Sequence, residues 1–181
     1  ITITGSGDAA DEAVEFESPS SSQAGNVTIT AVDGGSTTDD ILLGADGDIL
    51  SISGIIRIDG DTAGTTADVI MADGAVINAG SGTIDITADG SITLSALQTT
   101  TEVQVTAITG AIIDGGDTDV DITAATAALR SPTGVRSAVW ANPVVSPTTT
   151  RIPAPRSRRK DQNKKTPKRE GERGGGGRGR G

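Results

Sequence analysis

The chain contains no cysteine, histidine or tyrosine, and only one Phe and one Trp among 181 residues. Without cysteine there is no disulfide framework, no thiolate metal site and no catalytic thiol. Without histidine the usual general base, the usual zinc ligand and the physiological pH switch are all missing. Aromatics make up 1% and hydrophobics 34% of the residues, which argues against a globular core of normal thickness, because large rings usually supply much of its buried area. Phe16 and Trp140 are the two candidates, and both fall outside the patterned stretches described below. No stretch approaches the roughly 18 apolar residues that a spanning helix needs, so no membrane span is expected. The first residue is Ile1, with no basic segment and apolar run behind it. The chain is therefore expected to be a piece of a longer protein, which leaves a signal peptide unassessed.

What is present is alternation. From Val27 onward an aliphatic residue, one polar residue and a second aliphatic residue follow one another seven times: Val27-Thr28-Ile29, Leu50-Ser51-Ile52, Ile56-Arg57-Ile58, Ile84-Asp85-Ile86, Ile92-Thr93-Leu94, Val103-Gln104-Val105 and Val120-Asp121-Ile122. A period of two marks strands with one buried and one wet face, and its recurrence between Asp/Gly-rich turns points to a stacked repeat. A solenoid interior is a narrow stack of Ile, Val, Leu and small residues, so each coil buries its strip against its neighbours without bulky rings. The low aromatic content fits that architecture.

The turns carry their own signal. Ala-Asp-Gly, one further residue and then Ile or Val occurs at Ala45–Ile49, Ala72–Val76 and Ala88–Ile92. Asp tolerates left-handed geometry and bonds nearby backbone, while Gly takes positive φ without steric cost. The Asp residues of these three turns, Asp46, Asp73 and Asp89, are 27 and 16 residues apart, and Asp114-Gly115 lies 25 further on, a mean near that of one β-helix coil. Asp-Gly also favours tight hairpins, so an antiparallel sandwich is the competing arrangement.

Charge divides the chain near Arg130. Residues 1–129 hold 21 Asp or Glu against the single base Arg57, a net of −20, while 130–181 hold 14 Lys or Arg against three acids, a net of +11. Proline follows the same boundary, with Pro19 before it and six after it. Four segments are expected: an irregular acidic segment or broken coil over 1–24, β-solenoid repeats over 25–129, a Pro/Thr-rich linker over 130–155 and a disordered Arg/Lys/Gly-rich tail over 156–181. Within the first, Ala9 to Phe16 is long enough for about two turns of helix, which are marginal alone. The change of composition at the C-terminal end is also what a shifted reading frame would produce.

The runs Gly25–Thr30, Gly82–Thr87 and Asp89–Leu94 resemble the coils of large bacterial surface adhesins of the filamentous-haemagglutinin and autotransporter-passenger type. The resemblance covers residues 25–127 and is one of texture. It implies an all-β, right-handed parallel β-helix of about five short coils, export to the bacterial cell surface or medium, and attachment to a host or neighbouring cell, through polysaccharide or protein. It transfers no binding residue.

Three chemistries compete with this scaffold reading. For calcium, Asp117-Thr118-Asp119-Val120-Asp121 begins like an EF-hand loop, but Ile122 stands at its glycine and Ala128 at its bidentate Glu. Asp59-Gly60-Asp61-Thr62-Ala63-Gly64 has the glycine but Ala63 and Ile70 at ligand positions, and Thr118 and Val120 break the nonapeptide calcium repeat. Solvated turn carboxylates are the expected reading. For a carbohydrate-active enzyme, Asp85 and Asp121 are the paired carboxylates, both expected to face outward, without a sugar-stacking aromatic in the repeats. Arg57 is expected to make local ion pairs. For nucleic acid, the tail's Arg/Lys/Gly runs would neutralise phosphates weakly and without sequence preference, and they lack interleaved aromatics. The sequence therefore assigns no catalytic, cofactor-binding or metal-ligating residue.

Overall fold

A computed structural model of the chain describes residues 1–6, 13–22, 24–32, 40–60, 67–115 and 120–136. Within them the chain winds through three sheets in turn, three strands per coil. The coils are β1 Thr2–Gly5, β2 Val14–Phe16, β3 Ser20–Ser22; β4 Val27–Ala31, β5 Ile41–Leu43, β6 Ile49–Ser51; and β7 Ile56–Gly60, β8 Val69–Met71, β9 Val76–Gly80. They continue with β10 Ile84–Ala88, β11 Ile92–Leu94, β12 Ala96–Thr99; β13 Glu102–Ala107, β14 Ile112–Asp114, β15 Ile122–Thr123; and a last β16 Thr126–Arg130 with β17 Val135–Arg136. Every third strand joins the same sheet: β1-β4-β7-β10-β13-β16, β2-β5-β8-β11-β14-β17 and β3-β6-β9-β12-β15.

All neighbours pair in parallel, as in Val27↔Ile56, Ile56↔Ile84 and Ile84↔Val103. The protein is thus an all-β parallel β-solenoid, and the antiparallel sandwich that Asp-Gly hairpins would build does not form. Residues 25–127 hold four complete coils where about five were expected. The ladder also runs past the expected limits of 25–129. Thr2–Gly5 is in register with Thr28–Ala31 on the next coil, and Val135 and Arg136 pair with Ile112 and Ile113. The expected linker thus begins, at 130–136, inside the ladder, while its remainder and the tail over 156–181 lie outside the described residues.

Register explains why the core needs so few rings. The inward rows of the first sheet read Val27, Ile56, Ile84, Val103 and then Ile29, Ile58, Ile86, Val105, all buried. A third row, Ala31, Gly60, Ala88 and Ala107, is small where the chain turns the corner. The second sheet supplies Ile41, Val69, Ile92 and Ile112, and the third Ile49, Ile77, Leu97 and Ile122. Each aliphatic side chain buried this fully contributes about 1.5–3 kcal/mol. Phe16, expected outside the repeats, lies on β2 paired with Leu43 and is buried in the same core. Trp140 falls outside the described residues.

Coil length is uneven for a definite reason. Register partners are separated by 26 residues (Thr2 to Thr28), 29 (Val27 to Ile56), 28 (Ile56 to Ile84), 19 (Ile84 to Val103) and 24 (Val103 to Ala127). The connection from first to second sheet takes eight residues after β1, nine after β4 and eight after β7, but three after β10 and four after β13. Insertions at one corner therefore account for most of the irregular spacing.

One expected strand face is reversed and a second is only half formed. Alternation places both aliphatic residues of Leu50-Ser51-Ile52 inward, yet Ile49 and Ser51 point in and Ile52 is 60% exposed. The reason is the corner that follows. The Ser51 hydroxyl donates to the Gly25 carbonyl at 3.2 Å and accepts the Gly54 N–H at 2.9 Å, so it is the inward residue that closes the turn. In Val120-Asp121-Ile122 only Ile122 joins the core as read, because Val120 is exposed and Asp121 is buried. Ile52→Ser is accordingly expected to change stability by no more than about 0.5 kcal/mol, the range of an ordinary surface substitution. Ile49→Ser, at the start of the same strand, should cost about 2–5 kcal/mol. Urea melts of the two variants check the phase of β6.

Candidate binding faces

Strands that bury alternate residues leave the others on three long outer faces. On the first sheet two rows run along the solenoid. One is Thr2, Thr28, Arg57, Asp85, Gln104 and Ala128, the other Thr4, Thr30, Asp59, Thr87, Thr106 and Arg130. The second sheet presents Glu15, Leu42, Ile70, Thr93 and Ile113. The third presents Ser21, Leu50, Asn78, Gln98 and Thr123, with the Asn78 amide donating to Gln98 at 3.3 Å. An open groove of about 430 Å³ on this last face is lined by Ser21, Leu50, Ile52 and Asn78 among others.

The one basic residue of the acidic part sits in the middle of the first face. Arg57 donates to Asp59 on its own strand at 3.0 Å and lies 3.6 Å from Asp85 on the next coil. The hydrogen bond to Asp59, reinforced by the charges of Asp59 and Asp85, holds the guanidinium above its ordinary pKa. This is the local pairing expected of Arg57. Both pairs are substantially exposed, so they contribute little to stability. They fix charge positions more than they hold the fold.

Asp85 and Asp121, the two carboxylates considered for acid/base chemistry, are not brought onto one face. Asp85 is outward on β10, between Arg57 and Gln104. Asp121 is 1% exposed, and its main-chain carbonyl accepts the Leu97 N–H at 2.6 Å. The expectation that Asp121 faces outward is corrected by the corner before β15, where the alternation loses its phase.

Turn carboxylates have a structural task that spacing alone did not reveal. Asp40 accepts the N–H of Asp68 at 2.9 Å, Asp68 accepts that of Ser91, and Ser91 that of Ala111 at 3.3 Å. One side chain at the entrance to the second sheet thus caps the next coil, in three successive steps that link four coils. Asp48 does the same for Val76 at 2.9 Å, and Asn26 for Ile55 at 3.0 Å. These bonds satisfy backbone donors at corners, where no ladder partner is available. Among the described residues no group of three or more His, Cys, Asp or Glu side chains could hold a metal ion. Of the EF-hand-like segments, Asp61 to Gly64 and Asp117 to Asp119 lie outside the described residues.

Compared with known proteins, the chain matches no family model, no curated protein and no solved structure.

Proposed function

We propose that the chain is a non-enzymatic structural or adhesive segment of an exported bacterial surface protein, an acidic β-solenoid that forms a stalk or presents a binding face. The observation that carries this reading is the use of the polar side chains. Asp40, Asp48, Asp68, Asn26, Ser51 and Ser91 are engaged in coil-to-coil bonds at the corners. Outward-facing polar residues of the strands form repeating rows along the sheets, a pattern suited to an extended contact with a polysaccharide or protein surface. Stacked coils of this kind lengthen without limit, each burying the last. The resemblance of residues 25–127 to adhesin coils supports the same reading and the location at the cell surface or outside the cell.

The test is a panel of bacterial and host polysaccharides and intact cells, exposed to the full chain. Binding without release of new reducing or unsaturated ends, lost on unfolding, is the expected result. Catalytic turnover of any polysaccharide would replace the scaffold with a carbohydrate-active enzyme. A second reading, nucleic-acid binding through the basic segment, is favoured by the net charge of +11 over residues 130–181. The acidic part competes for those cations within the same molecule. The full chain is therefore expected to bind single-stranded nucleic acid weakly at about 0.15 M salt. Submicromolar, sequence-selective binding by the full chain under those conditions would make the second reading the right one.

A further inference from the structure

Asp followed by Gly occurs five times among the described residues, at Asp46, Asp59, Asp73, Asp89 and Asp114. Such a pair is open to cyclisation, because glycine places no side chain beside the amide nitrogen that must reach the aspartyl Cγ. Reaction then depends on whether that nitrogen is engaged. The N–H of Gly47 donates to the Gly44 carbonyl at 2.8 Å, that of Gly90 to Ala67 at 2.9 Å and that of Gly115 to Leu94 at 2.8 Å. Gly60 is buried within β7 beside Ala88 of β10, and its Asp59 is held by Arg57 at 3.0 Å.

Asp73-Gly74 differs in each respect. Both residues are exposed. Gly74 has φ +95° and occupies the third position of a turn closed by the Ala75 N–H on the Ala72 carbonyl at 3.1 Å. A positive φ there marks a type II turn, whose third position favours glycine. No described residue accepts the Gly74 N–H. The contrast with the previous coil comes from phase. Leu43 pairs with Met71, which sets Gly47 opposite Ala75. The same Ala-Asp-Gly tripeptide thus enters the two turns one position apart, with its glycine amide tied in one and free in the other.

We propose that Asp73-Gly74 is a modification site at which the chain spontaneously forms a succinimide and accumulates isoaspartate. The Gly74 nitrogen attacks Cγ of the uncharged Asp73 carboxyl. The new C–N bond forms, the Cγ–OH bond breaks, and the hydroxyl leaves as water with the amide proton. Water then adds back to either ring carbonyl. Opening at Cγ restores aspartate; opening at the main-chain carbonyl carbon sends the backbone through the side chain. The second product has the mass of the first, one more methylene in the main chain and a free α-carboxylate. No oxidant or reductant is needed. The extra methylene lengthens the turn before buried Ala75 and before Val76, whose N–H is capped by Asp48, so the modification loosens the corner between β8 and β9.

The full chain is incubated at body temperature and neutral pH, then digested with a protease that cuts before aspartate but not isoaspartate, and read by mass spectrometry. The uncut fraction at Asp73 is expected to grow with time and to exceed that at Asp46, Asp59, Asp89 and Asp114 several-fold. Keeping the chain in urea should level the five, since the difference resides in the fold. Asp73→Glu, which would need a larger ring, should remove isoaspartyl methyltransferase labelling from that peptide while leaving the fold intact. An uncut fraction at Asp73 no greater than at the other four in the folded chain would overturn the proposal.

Discussion

Ile86→Asp is expected to unfold the solenoid, while Asp85→Asn, its immediate neighbour, leaves the melt nearly unchanged. Ile86 is wholly buried in the row Ile29, Ile58, Ile86, Val105. A carboxylate placed there has aliphatic neighbours on both adjacent coils. Burying it without a partner costs several kcal/mol, of the order of the 5–15 kcal/mol that holds a whole domain together. Asp85 faces out and stands 3.6 Å from an Arg57 that is half exposed, so its loss removes an interaction worth at most about 1 kcal/mol. Circular dichroism melts of the two variants decide the point. Small and equal effects would mean that β10 has no buried face.

The second large effect belongs to a glycine. At the corner between the third and first sheets the coils approach so closely that a Cβ on Gly82 would fall inside contact distance of the Gly54 carbonyl oxygen, and one on Gly54 would meet that of Gly25. The clash cannot relax easily, because Thr99 and Thr101 on the following coil both donate to the Gly82 carbonyl and hold it from the other side. Gly82→Ala is therefore expected to cost about 1–3 kcal/mol or more, the magnitude of overpacking a well-packed site. Gly60→Ala is the control. Its Cβ would meet only ordinary van der Waals neighbours, the nearest at 3.5 Å, and the stiffer unfolded chain should offset any loss. Chemical denaturation of both reads the difference, and a Gly82→Ala variant as stable as Gly60→Ala would contradict the stacked corner.

The strand faces that could be read from the sequence were those of triplets lying wholly within one strand. Val27-Thr28-Ile29, Ile56-Arg57-Ile58, Ile84-Asp85-Ile86, Ile92-Thr93-Leu94 and Val103-Gln104-Val105 bury their aliphatic residues as alternation requires. Phase was lost at corners. Ser51 is inward because its hydroxyl bridges two backbone groups one coil apart, a partnership invisible to a pattern that sorts residues by polarity. The Ala-Asp-Gly repeats misled in a similar way: those at Ala45 and Ala72 turn from the second sheet to the third, whereas Ala88-Asp89-Gly90 turns from the first to the second. Their spacing mixed two different corners, and coil length became clear only from register. The limits of the ladder were missed because its first coil places Ser20 and Ser22 where later coils carry Ile49 and Ser51, so the hydrophobic signal fades there although the backbone pairing does not. As for a binding site, the acidic turns were legible as composition but not as work. A carboxylate that caps the next coil and one that waits for a ligand have the same sequence.

The central claim is that Thr4, Thr30, Asp59, Thr87, Thr106 and Arg130 form one straight row, one residue per coil. The chain has no cysteine, so spin labels go only where cysteines are introduced. Pulsed electron paramagnetic resonance on Thr4→Cys/Thr106→Cys and Thr4→Cys/Arg130→Cys measures four and five steps of that row. At about 4.8 Å per step, the backbone separations are roughly 19 and 24 Å, and the longer pair should exceed the shorter by one strand spacing. A second distance equal to or shorter than the first would mean that β16 does not follow β13 in the stack, and the solenoid as described would be wrong.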